Sequence, residues 1–142
     1  MKELVVYVVD KDIDKVIWHF EDEMITKYKE AIKLFVPLFE QNGCSLKLEQ
    51  WWVNKKHNIW STIRLPIEKG YECYIYCMVE RNGEVVFYND GEDYDHFLMT
   101  SWMISSYIRT GFKKTKINLY ASIDDVDSEL TDFLSILKQG SI

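Results

Sequence analysis

Residues 4–9 form an unbroken apolar run rich in β-branched side chains, which predicts a strand buried on both faces. From Ile13 the period lengthens. Ile13, Ile17, Phe20, Met24, Tyr28, Ile32 and Phe35 recur at intervals of three or four with lysines and glutamates between them, predicting a long amphipathic first helix. Pro37 lacks an N–H and crowds the preceding turn, so this helix is expected to kink or end near Val36, with Asn42-Gly43 as a left-handed stop.

Residues 46–53, 59–65, 71–81 and 84–88 read as successive strands of an antiparallel meander. The sharpest local signal is Arg81-Asn82-Gly83-Glu84, because Asn-Gly accepts the positive φ values of a two-residue type I′ turn. That turn sets a register with Arg81 opposite Glu84, Val79 opposite Val86 and Met78 opposite Phe87. Beyond an acidic loop, the apolar residues of 94–110 surround the axis of a predicted second helix that Gly111 ends, as expected for a helix buried on more than one side. Residues 116–122 alternate as a last strand. Ser122 to Asp125 resembles a capping arrangement, and Val126, Leu130, Phe133, Leu134 and Leu137 stripe a final helix closed by Gly140.

The resulting order is β-α-β-β-β-β-α-β-α. It predicts an α+β fold: a single mixed, largely antiparallel sheet built on a central meander, with three helices packed on it. No repeat, linker or low-complexity segment divides residues 1–142, so one domain is expected.

Composition narrows the function classes. A net charge of −6 argues against nucleic acid and anionic lipid as partners, since both require a positive footprint. The three cysteines, Cys44, Cys73 and Cys77, are odd in number and lack CxxC spacing. They read as small core residues in a reducing compartment, and with no apolar window of membrane-spanning length a cytoplasmic location is expected.

Carboxylates gather at three points: Asp10, Asp12 and Asp14; Asp90, Glu92, Asp93 and Asp95; Asp124, Asp125, Asp127 and Glu129. Helix caps need one or two such residues each, and the surplus motivates a functional reading. If the strands before these clusters run parallel, all three crowd one edge of the sheet and face a basic partner. Tryptophans supply the apolar half of such a surface. Trp51 and Trp52 are adjacent in a strand and point to opposite faces, so a tryptophan left on an open face beside Tyr71, Tyr74 or Tyr76 would anchor a partner.

Catalytic signatures are thin. Asp10 and Asp12 after an apolar strand resemble the nucleophile motif of haloacid-dehalogenase-type phosphatases, and Asp124-Asp125 could be recruited as metal ligands; the phosphate-binding and lysine positions have no assigned counterpart. The 90–101 segment has Asp95 and Ser101 at the sixth and twelfth positions, where an EF-hand needs Gly and Glu. His19, His57 and His96 show no metal spacing, although His96 beside Asp95 is a candidate acid or base. No cofactor is expected.

The expectation is therefore a non-enzymatic, acidic protein-binding inhibitor of the immunity type, neutralising a basic toxin or effector. Asp90, Glu92, Asp93, Asp95, Asp124, Asp125 and Asp127 would steer the partner, and Trp52 and Trp60 would anchor it. The alternatives are a Mg²⁺-dependent phosphoryl-transfer enzyme using Asp10 and Asp12, and a ligand-binding or homodimerising module built on the second helix.

Overall fold

The computed structural model describes residues 3–89, 95–110 and 114–139. Strand β1 (Glu3–Val9) passes through a single 3-10 turn, Asp10–Asp12, into α1 (Ile13–Ile32). Helix α1 stops short of Pro37, which sits in the first turn of α2 (Val36–Glu40), and Gly43 at φ 72° turns the chain into β2 (Ser45–Asn54). Strands β3 (Ile59–Ser61), β4 (Tyr71–Arg81) and β5 (Glu84–Val85) follow. Next come β6 (Phe87–Asn89), β7 (Asp95–Phe97), β8 (Met99–Thr110), β9 (Lys114–Tyr120) and α3 (Asp125–Lys138).

The fold is α+β. One large antiparallel sheet runs β1-β9-β8-β4-β2-β3, with β5 paired to β4 and a small β6-β7 hairpin beside it. The Asn82-Gly83 turn forms as expected, with φ of 55° and 80°, Arg81 opposite Glu84 and the Val86 N–H on the Val79 carbonyl. One residue further the register departs from expectation: Met78 pairs with Met99 instead of Phe87, which turns away to pair with Phe97. Leu98 takes over, accepting from the Val79 N–H and donating to the Val86 carbonyl.

The predicted second helix is the main correction. Residues 99–110 are the longest strand of the sheet, with β7 just before it. The register against β4 shifts between Cys73 and Tyr74, and that against β9 shifts between Tyr107 and Arg109. Each bulge moves the strand's inward side by one residue, so Trp102 and Ile104 face the core and then Ser105 does too. Two such slips break the strict alternation by which a strand is recognised in the sequence.

All three helices lie on one face. Strand β4 shows the division: Tyr71, Cys73, Ile75, Cys77 and Val79 are wholly buried, while the intervening side chains are half-exposed. Ile17, Met24 and Tyr28 of α1, Phe39 of α2, and Val126 and Leu130 of α3 complete the core on that face. The cysteines are free and buried as expected, and burial pushes the Cys77 thiol up to about 12.

The α1 stripe holds one polar residue. Ile13, Ile17, Glu21, Met24, Tyr28 and Ile32 are its buried positions, so Glu21 takes the place the apolar pattern assigns to Phe20. Its carboxylate accepts from Trp52 Nε1 at 3.1 Å, from Ser105 Oγ at 2.7 Å and from the Tyr71 hydroxyl. Arg64 Nε stands 3.5 Å away. The guanidinium lies between the rings of Trp18 and Trp52, 5.3 and 5.4 Å from their centroids, and Nη2 reaches Asp22 Oδ1 at 2.7 Å. Burial raises the Glu21 pKa more than the Tyr71, Ser105 and Trp52 hydrogen bonds and Arg64 lower it.

Replacing Glu21 by Ala strands three buried donors and Arg64, and should cost about 4 kcal/mol in urea denaturation; Glu21→Gln should cost less. Because the folded-state pKa is raised, the stabilising contribution of Glu21 is complete below the ordinary glutamate range and declines as pH climbs through the elevated value. Glu21→Gln cannot ionise, so the stability gap between wild type and this variant should shrink as pH rises. A gap that widens in parallel melts would overturn the assignment.

Candidate protein-binding surface

Strand alternation places Glu72, Tyr74, Tyr76 and Met78 of β4 on the face that no helix covers among the described residues. Antiparallel register brings Val53, Trp51, Glu49 and Lys47 of β2 beside them in that order. On the other flank Met103, Ser101 and Met99 of β8 oppose Tyr74, Tyr76 and Met78. Trp60 joins through β3, opposite Val53.

The aromatic rings touch one another. Trp51 meets Tyr76 edge-on at 6.4 Å between centroids, and Tyr74 lies 6.3 Å from Tyr76. Their polar ends are held locally: Trp51 Nε1 donates to Glu49 at 2.9 Å, and the Tyr74 hydroxyl donates to Glu72 at 2.9 Å. Lysines neutralise both carboxylates, Lys47 on Glu49 at 3.0 Å and Lys55 on Glu72 at 3.1 Å. The Lys47 ammonium and the Trp51 N–H hold the Glu49 pKa below its usual value, while burial and the hydrogen bond to Glu72 raise that of Tyr74. Glu49, Trp51, Trp60, Tyr76, Met78 and Met99 line a shallow cleft of about 230 Å³. Chemically the surface can stack on, and form cation–π contacts with, planar or cationic groups of a partner.

Trp60 stands where an anchor requires, 53% exposed. Trp52 does not. It points to the covered face, is 6% exposed and spends its N–H on Glu21, so the open-face tryptophan of the adjacent pair is Trp51. Of the three tyrosines considered, Tyr71 belongs to the core and Tyr74 and Tyr76 to the open face.

The acidic clusters do not share one rim. Strand β1 is antiparallel to β9, with Val9 opposite Lys114 and Glu3 opposite Tyr120. The chain therefore enters Asp10–Asp14 at one end of the sheet and Ser122–Asp127 at the other, separated by seven residues of strand, roughly 23 Å. Asp95 heads β7, which precedes β8 at the α3 end of the sheet. Asp90, Glu92 and Asp93 lie outside the described residues, as do Gly111 and Gly140.

At the start of α3 the expected capping box of Ser122 and Asp125 is replaced by a local turn. Ser122 Oγ accepts from the Asp124 N–H, two residues on, at 3.1 Å, and Asp124 stands at the N-cap without a side-chain cap bond. Asp124, Asp125 and Asp127 are exposed, and among the described residues none has a cationic partner. Their charge is turned outward.

The remaining candidates are dispersed. Asp12 flanks α1 without capping it. Among the described residues no group of three or more His, Cys, Asp or Glu side chains could hold a metal ion. His19 pairs with Glu23 at 2.6 Å on the exposed side of α1, His57 approaches Glu68 at 3.8 Å, and His96 lies in β7 against the Tyr88 ring, not in a helix. No described helix is long and apolar enough to cross a membrane.

The architecture defines a one-sided α+β sheet protein with an aromatic open face. The chain matches no family model, no curated protein and no solved structure.

Truncating the two predicted anchors should separate core from surface. Trp52→Ala should cost about 3–5 kcal/mol in urea unfolding, whereas Trp60→Ala should stay within about 0.5 kcal/mol of wild type. Equal losses would contradict the division of faces.

Proposed function

We propose that this chain is a non-enzymatic protein-binding inhibitor of the immunity type, which neutralises a basic toxin or effector in the cytosol by covering its working surface. The observation that carries the reading is the uncovered sheet face, where Trp51, Trp60, Tyr74 and Tyr76 form a pre-ordered aromatic surface. Such residues supply large contact area at low entropic cost and dominate interface energetics. The carboxylates of Asp124, Asp125 and Asp127, exposed and without a cationic partner among the described residues, add the charge that draws in a cationic partner. Free, buried cysteines fit a reducing compartment.

Steering and anchoring then separate in an experiment. A basic partner captured from the source cytosol should lose association rate by about tenfold at low salt, and much less at high salt, when Asp124, Asp125 and Asp127 are changed together to Lys. Trp60→Ala and Tyr76→Ala should instead speed dissociation. Binding indifferent to charge, salt and both aromatic truncations rejects the proposal.

A further inference from the structure

The two edges of the main sheet are unlike. Strand β3 at one edge has three residues, short enough to discourage further pairing. Strand β1 at the other has seven, and from Leu4 to Val9 it contains no charge, no proline and no glycine. Only β9 pairs with it among the described residues. Leu4, Val5, Tyr7 and Val9 are 55%, 42%, 59% and 43% exposed, so apolar side chains on both faces of the strand stand in water beside a row of open backbone groups. Long edges are ordinarily blunted by lysine, proline or a bulge, and β1 has none of these within the run.

We infer that the β1 edge is an interaction surface whose occupant is β1 of a second copy of this chain, paired antiparallel about a two-fold axis through Val6. The strand is complementary to itself in that register. Val5 faces Tyr7 of the other copy on the open side, a β-branched and aromatic pair, and Leu4 faces Val8 on the helical side. Two-fold symmetry makes each contact twice and closes the assembly at two copies, consuming the edge. The neutral edge offers nothing to the basic partner proposed above, whose surface lies on β2, β3 and β4. The inference stands apart from that reading.

Sedimentation of the full chain across a series reaching high micromolar concentration should show a monomer–dimer equilibrium. Changing Val5 and Tyr7 together to Lys places like charges opposite each other in both symmetric pairs, and should weaken the dimer on the order of a hundredfold. A double change of Val5 and Tyr7 to Glu should do the same. Both pairs of side chains are exposed, so near-ultraviolet circular dichroism should show each variant folded. Mixing the Lys and Glu variants should restore a heterodimer, because the register sets position 5 against position 7 of the other copy. A wild-type chain that is monomeric throughout overturns the inference, as does a dimer insensitive to either double change, or a mixture that fails to associate.

Discussion

One carboxylate without access to water holds the first helix to the sheet. Glu21 projects from α1 and takes hydrogen bonds from β2 through Trp52, from β4 through Tyr71 and from β8 through Ser105. Apolar contacts alone would let a helix slide or rotate on a sheet at small cost, because dispersion and burial are not directional. A buried acceptor with three donors permits one placement. Any shift of α1 by one turn would strand the carboxylate and its donors in a dry interior, at several kcal/mol. The bulge between β4 and β8 belongs to the same device, since it turns Ser105 inward directly after Ile104.

Fixing α1 on that face has a consequence for the other. With α2 and α3 packed on the same side, no described helix covers the second face, and apart from the buried Val53 its row from Trp51 and Tyr74 to Lys47 and Met78 is partly exposed. An antiparallel sheet ordinarily solves this with polar residues outward. Here the outward row is Trp51, Tyr74 and Tyr76 with glutamates and lysines between, and the charges are spent on each other and on the indole and phenol groups. The face is thus ordered before anything binds it, and ordering is a large part of what association costs.

Much of the architecture was legible in the residues. The Asn82-Gly83 turn, the stop at Gly43 and the α3 stripe each carry a local physical cause, and each forms. Residues 4–9 form a strand as well, but at the edge of the sheet with Leu4, Val5, Tyr7 and Val9 exposed, not buried on both faces as the apolar run implies. The 99–110 stretch reads as a helix apolar on all sides because two bulges break the alternation that marks a strand, yet its residue types point the other way: MTSWMISSYIRT holds threonines, isoleucines and aromatics, with no Ala, Leu, Glu, Lys or Gln. Glu21 was hidden by its charge. Spacings of 17, 20, 24 and 17, 21, 24 are equally helical, and the apolar choice was the wrong one. Which of Trp51 and Trp52 faces inward was open for a different reason: alternation fixes that they differ, and only the helices fix which side is inside.

The antiparallel pairing of β1 with β9 also decides how charge can act. A parallel arrangement would have gathered all the carboxylates on one rim; this one sends Asp12 and Asp14 to one end of the sheet and Asp124, Asp125 and Asp127 to the other. The separation of roughly 23 Å exceeds the Debye length of about 8 Å at physiological ionic strength, so the two clusters act on a distant cation as separate sources. The open face between them is close to neutral, its lysines and glutamates already paired. On the proposed reading, attraction at a distance and contact at close range therefore fall to different residues. The α3 carboxylates set how often a basic partner arrives, and the aromatic face sets how long it stays.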